Sequence, residues 1–182
     1  MPIPSSRPLL LCLSLFLLIS AIPLRAQNTG AEISAGLGAM QFDASGTGTV
    51  PVIALRGAVP LVGSWMLGEA NLSFASLDEQ FSELGTRVGV AEGQLQFQLP
   101  LARVRPYLGV GAGWLHYFNN AGTRATTTPT FSGAAGLRFK LTPRFGARAE
   151  LRLRGWDWHT GPNDSSFGGS AAEWTAGVAY TF

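Results

Sequence analysis

Apolar and polar residues alternate along this chain in stretches of about ten, a period-2 pattern that predicts β-strands with two unlike faces. Eight such stretches can be counted. The first, 31–42, sets Ile33, Ala35, Leu37 and Ala39 against Glu32, Ser34, Gly36 and Gly38. The second, 50–60, sets Ile53, Leu55, Gly57 and Val59 against Arg56. The third, 65–76, sets Met66, Gly68, Ala70, Leu72 and Phe74 against Glu69, Asn71 and Ser73. The fourth, 87–99, is the clearest: Ala91, Gly93, Leu95, Phe97 and Leu99 alternate with Glu92, Gln94, Gln96 and Gln98. The fifth, 105–118, sets Leu108, Val110, Ala112 and Trp114 against Gly109, Gly111 and Gly113. The sixth, 130–141, sets Phe131, Gly133, Ala135, Leu137 and Phe139 against Ser132, Gly136, Arg138 and Lys140. The seventh, 144–154, sets Phe145, Ala147, Ala149, Leu151 and Leu153 against Arg148, Glu150, Arg152 and Arg154. In the last, Trp174, Ala176, Val178, Tyr180 and Phe182 alternate with Thr175, Gly177, Ala179 and Thr181.

The connections alternate in length. Those at 60–64, 100–104 and 142–144 are short, while 43–49, 77–86, 119–129 and 155–169 are longer and more polar. Short turns at one rim and long loops at the other are expected of an up-and-down antiparallel barrel in a membrane, the short turns periplasmic. An even strand count leaves both ends of the chain at the turn rim. The longest loop, 155–169, carries Trp156, Asp157, Trp158, His159, Asn163 and Asp164 and would face outside.

Alternation alone does not say which face meets lipid, because a soluble barrel such as a lipocalin also alternates, with its apolar face inward. Charge decides it. Arg56, Glu69, Glu92, Arg138, Arg148, Glu150 and Arg152 share the polar face at mid-strand. Inside a narrow barrel these opposite charges can pair, as buried charges must. Leu95 should then face lipid, and Gln94 the lumen, where polar substitution is tolerated. Aromatic residues also collect near strand ends, in the manner of interfacial girdles. Trp65, Phe145, Tyr180 and Phe182 stand at one rim, with Phe42, Phe74, Trp114, Tyr117, Phe118 and Trp174 towards the other.

Two segments carry a family resemblance. The terminal strand, with Trp174, Ala176, Val178, Tyr180 and Phe182, resembles the last strand of bacterial outer-membrane barrels. That resemblance implies that an assembly machinery reads these residues. The run Pro106-Tyr107-Leu108-Gly109-Val110-Gly111-Ala112-Gly113-Trp114 resembles a strand of the small outer-membrane β-barrel family, related to the outer-membrane protein A barrel. The family resemblance implies an all-β, eight-stranded transmembrane barrel in the cell outer membrane, with lipid around it. It does not imply a reaction.

The N-terminus changes the reading of composition. Arg7 precedes the apolar run Leu9–Ile19, Pro23 breaks it, and Leu24-Arg25-Ala26 precedes Gln27. This reads as a secretory signal peptide, residues 1–26, leaving a barrel domain at 27–182. A membrane-spanning helix is the competing reading, for which the run is short. Arg7 and Arg25 leave with the signal, and all 11 acidic residues lie beyond it. The mature chain is then formally neutral, with no charge signal for nucleic acid. Cys12 leaves too, so no disulfide is expected.

Chemical candidates are sparse. Gly109, Gly111 and Gly113 sit within a strand rather than between strand and helix, so they read as small residues making room in a tight barrel, not as a nucleotide loop. His116 and His159 lack metal-ligand spacing, and no cofactor is expected. His116, Ser132, His159, Asp164, Ser165 and Ser166 could in principle supply a hydrolytic triad, but no spacing singles them out. Asp157, Asn163 and Asp164 do not follow a calcium-loop pattern. The expected function is non-enzymatic: a monomeric barrel with a structural or surface-contact role. A small porin-like channel is the alternative, and a lipid-modifying enzyme the third reading.

Overall fold

The computed structural model describes residues 30–42, 48–76, 87–101, 103–118, 126–158 and 167–182. The N-terminal segment read as a signal peptide lies outside the described residues, as do His159, Asn163, Asp164, Ser165 and Ser166. Eight strands form: β1 (Glu32–Phe42), β2 (Thr49–Val62), β3 (Met66–Ser76), β4 (Arg87–Gln98), β5 (Val104–Phe118), β6 (Thr126–Lys140), β7 (Phe145–Trp158) and β8 (Phe167–Thr181). They are antiparallel in chain order, and β1 pairs with β8, so the barrel closes without a free edge. No described helix is long and apolar enough to cross a membrane.

Closure requires stagger. Starting at Glu32, the partners run through Ala58, Glu69, Gln94, Gly111, Ser132, Arg154 and Ala171 and return to β1 at Phe42. The walk ends well along β1 from where it began, so the strands tilt. A barrel of eight tilted strands leaves an interior that side chains can fill.

The face assignment from the sequence holds strand by strand. Leu37, Ile53, Phe74, Leu95, Val110, Phe131, Leu153 and Val178 are all exposed, while Arg56, Glu69, Glu92, Arg138, Arg148, Glu150 and Arg152 are buried. This inverts a soluble core and matches a wall that faces lipid. At the turn rim, Gly63 adopts a φ of +53°, which lets β2 reverse into β3 within Gly63–Trp65. A register shift between Pro60 and Val62 accompanies the missing Pro60 N–H.

Four expectations are corrected. The loop placed at 155–169 is shorter, because β7 and β8 pair from Gly155↔Ser170 to Trp158↔Phe167. The loop at 119–129 is likewise trimmed, with β6 starting at Thr126. Cross-strand pairing carries the ladder through Pro129 and through Gly155, Gly168 and Gly169. Phe42 and Tyr117 do not belong to a girdle: both are buried on the inner face. Trp174 faces outward as expected, yet it stands at the middle of β8 rather than at a rim.

Candidate functional site in the barrel lumen

The lumen is packed in two layers. Nearer the turn rim lies a layer of charge. Arg56 on β2 reaches Glu150 at 3.2 Å and Glu173 at 3.3 Å. Arg138 on β6 reaches Glu32 at 3.2 Å and Glu69 at 3.3 Å. On β7, Arg148 pairs with Glu69 and, at 2.5 Å, with Glu150. Arg152 pairs with Glu92 at 2.5 Å and Glu150 at 2.8 Å. Arg154 pairs with Glu92 at 3.0 Å and Glu173 at 2.5 Å. Five guanidinium groups thus meet five carboxylates, and every group has at least two opposite charges nearby. The layer is self-neutralising, which is what burial of charge demands.

The glycines explain how so many long side chains fit. The inner face of β5 is lined by Gly109, Gly111 and Gly113, and a Cβ at Gly109 would run into the Gln94 side chain, so the glycines leave room for the lumen side chains. Gly136 on β6 faces Tyr107, and a Cβ there would run into the tyrosine ring. The ring therefore lies flat in the lumen with Arg138 and Arg148 over it, 4.6 and 5.0 Å from its centroid. Tyr107 Oη donates to Glu150 Oε2 at 2.5 Å and accepts from Arg148 Nε at 2.8 Å. Gln96 accepts from Arg138 and donates to Gln94 Oε1 at 3.0 Å, and Gln94 also accepts from Arg152 at 2.9 Å. Arg56 Nε, Asn71 Oδ1 and Gln94 Nε2 have no protein partner.

Nearer the loop rim the lumen turns apolar. Met40, Phe42, Val50, Val52, Val88, Val90, Leu115, Tyr117 and Trp156 form one buried cluster. Phe42 and Trp156 meet edge-on at 6.1 Å. All of these residues lie on the inward positions of their strands. The apolar layer was missed in the sequence because its members share the parity of the lumen charges while outward Phe74, Trp114 and Phe118 at the same level are apolar too, so neither face stands out there.

All seven residues expected to form the lumen network are brought together. Sequence reading missed Glu32, Arg154 and Glu173 as members. Glu32 and Arg154 had been placed on the polar faces of their strands, and Glu173 continues the inward positions of β8, so parity was the signal that could have found them. Of the hydrolytic candidates, His116 and Ser132 are described, and these two are not brought together. Ser132 points inward and is buried, while His116 points outward, its Nδ1 2.7 Å from Thr127 Oγ1 and its ring edge-on to Phe118 at 4.5 Å. The wall separates them. Among the described residues no cluster of His, Cys, Asp and Glu could hold a metal. Of the residues expected to signal assembly, Trp174, Ala176 and Val178 are exposed on the outer wall. Tyr180 packs edge-on between Phe145 at 5.2 Å and Phe182 at 5.1 Å.

A family model described as the outer membrane protein beta-barrel domain matches residues 10–182. Among solved structures, Neisserial surface protein A (NspA) superposes with a TM-score of 0.67 at 13% identity, over 85% of this chain and 98% of that one. Ail, the attachment invasion locus protein of Yersinia pestis, gives 0.54 at 16% identity, over 85% and 99%. The outer membrane enzyme PagL gives 0.51 at 14% identity, over 80% and 97%. At these identities the likeness is one of fold. No curated protein sequence matches the chain.

Proposed function

The chain belongs to the outer membrane protein β-barrel domain family, and on that footing we propose that it is a non-enzymatic barrel whose rigid wall holds surface connections for contact or envelope integrity. The family places the chain in the outer membrane. The observation that carries the functional reading is the sealed lumen. A neutral Arg–Glu layer and an apolar layer occupy the interior in series, with Arg152 at 0% exposure and Leu115 at 0%. A barrel closed in this way supports a role at its rim rather than along its axis. The names of NspA, a surface protein, and Ail, an attachment protein, are in keeping with that role. PagL raises the enzymatic alternative. Against it, the described outward neighbours of His116 are Trp114, Phe118, Gly89 and Thr127, and none of these is a carboxylate that could orient the ring.

Planar-bilayer recording tests the reading directly. The purified barrel is expected to give no discrete conductance steps, and lipid A mass spectra should be the same with and without the protein. Reproducible unitary steps would replace this reading with the channel. A new lipid A mass dependent on the protein would replace it with the enzyme.

The proposed partners are outer-membrane lipid and the barrel assembly machinery, with no nucleic acid, and the proposed state is a monomer. Every strand already has both neighbours, so no second subunit is needed to close the sheet. Phe182 N donates to Ala31 O at 2.9 Å across the β1–β8 seam, and its ring extends the outward aromatic row. Phe182→Ser keeps the backbone bond and removes the ring. It is expected to lower the amount of heat-modifiable barrel in the outer membrane while leaving export unchanged. Wild-type levels of folded barrel would rule out an assembly role for this ring.

A further inference from the structure

Four of the described cations that take no part in the lumen ion pairs gather on one side of the turn rim. Arg103 and Arg105 open β5, Lys140 closes β6, and Arg144 stands in the turn before β7. The backbone fixes them close together. Lys140 N donates to Arg103 O at 2.8 Å, and Arg105, opposite Arg138 in the register and so on the inward side, adds its charge at the mouth of the lumen beside them. Arg144 is displayed by a locked turn. Thr142 Oγ1 accepts from Phe145 N at 2.9 Å and Arg144 N at 3.3 Å, and Thr181 N donates to Arg144 O at 2.8 Å.

None of the four has a carboxylate partner among the described residues. Glu32 is the acidic residue described at this rim, and it is engaged by Arg138 at 3.2 Å. Arg105 Nε is buried without a hydrogen-bond partner. Four like charges held together by backbone repel one another until an anion neutralises them. The same turns also expose leucines: Leu101 is 54% and Leu141 68% exposed, with Leu99, Val104 and Phe145 beside them. Exposed leucines interleaved with arginine mark the boundary between acyl chains and headgroups. There the apolar side chains sit in hydrocarbon and the cations reach the phosphates. A freely dissolved anion would account for the cations but not for the leucines.

We propose that this rim is a binding surface for anionic phospholipid headgroups of the periplasmic leaflet. It rests on the outer-membrane reading, with the short turns on the periplasmic side. The rim then recruits a shell of phosphatidylglycerol-type lipid around the β5–β7 sector of the wall.

Native mass spectrometry of the full mature barrel, released from nanodiscs of mixed phosphatidylethanolamine and phosphatidylglycerol, tests this. The wild type should retain phosphatidylglycerol in preference to phosphatidylethanolamine. Arg103→Gln/Lys140→Gln/Arg144→Gln should cut that preference by about tenfold, since each cation at the surface contributes separately. All three side chains are exposed, and none takes part in the lumen layer. A heat-shift gel confirms folding, and Arg144→Gln alone, expected to lose part of the preference, covers failure of the triple variant to fold. Arg87→Gln, at the opposite rim, should leave the preference intact. Equal retention by the triple variant and the wild type overturns the proposal. So does displacement of the lipid by inorganic phosphate, which would point to a soluble anion, or rim-dependent sedimentation with peptidoglycan sacculi instead of lipid retention. Labelling of Arg103→Cys by an impermeant reagent in intact cells would refute the orientation, separately from the lipid preference.

Discussion

Glu150→Gln is expected to destabilise the barrel by about 3–5 kcal/mol, read as a lowered midpoint in a urea titration of the protein folded into lipid vesicles. Glu150 is the most shared carboxylate in the lumen. It meets Arg148 at 2.5 Å, Arg152 at 2.8 Å and Arg56 at 3.2 Å, and it accepts from Tyr107 Oη at 2.5 Å. The glutamine keeps the shape and removes the charge, so the remaining groups carry an uncompensated positive charge in a buried space. The cost comes from the stranded guanidinium more than from the lost contact. Adding Arg56→Met should recover part of the loss, because it restores neutrality. Arg56 is the right partner to remove, since Glu173 keeps Arg154 at 2.5 Å when Arg56 is gone. Should Glu150→Gln prove neutral, water must reach the layer, and the channel reading would gain over the structural one.

Leu95→Arg is expected to cost roughly 2–4 kcal/mol in the same titration, while Leu101→Arg costs at most about 1 kcal/mol. Leu95 stands on the outer face, between Gly68 and Val110 on the neighbouring strands, with only small or apolar side chains around it. An arginine there has no carboxylate to meet and must stretch to a headgroup. Leu101 lies in the turn between β4 and β5, where a guanidinium reaches phosphate without stretching. Equal costs at the two positions would mean that this wall does not face hydrocarbon. The lumen-facing Gln94 no longer serves as the tolerant contrast that alternation alone suggested. Its Oε1 accepts from Arg152 at 2.9 Å, so an arginine there would add a further cation to a balanced layer.

The alternation of Leu95 and Phe97 with Gln94 and Gln96 determined strand, face and class, because side-chain direction in a strand has period two wherever the strand sits. The short turns near Gly63, Pro100 and Thr142 determined the up-and-down order, since chain so short can only join antiparallel neighbours. The charges of both signs on one parity determined that the lumen would be ionic. Which charges meet was decided by tertiary structure alone. Stagger carries Glu32 round the barrel to the level of Phe42, so Arg152 meets Glu92, sixty positions away in the chain. No local signal encodes that offset, because register is a property of closure. Parity within the expected strands already put Phe42 and Tyr117 on the inward side, whereas Trp156 turned inward because β7 and β8 stay paired to Trp158↔Phe167, beyond the expected strand end at 154. The four free cations are visible in the sequence as residues, but their convergence on one rim exists only once β5, β6 and β7 lie side by side.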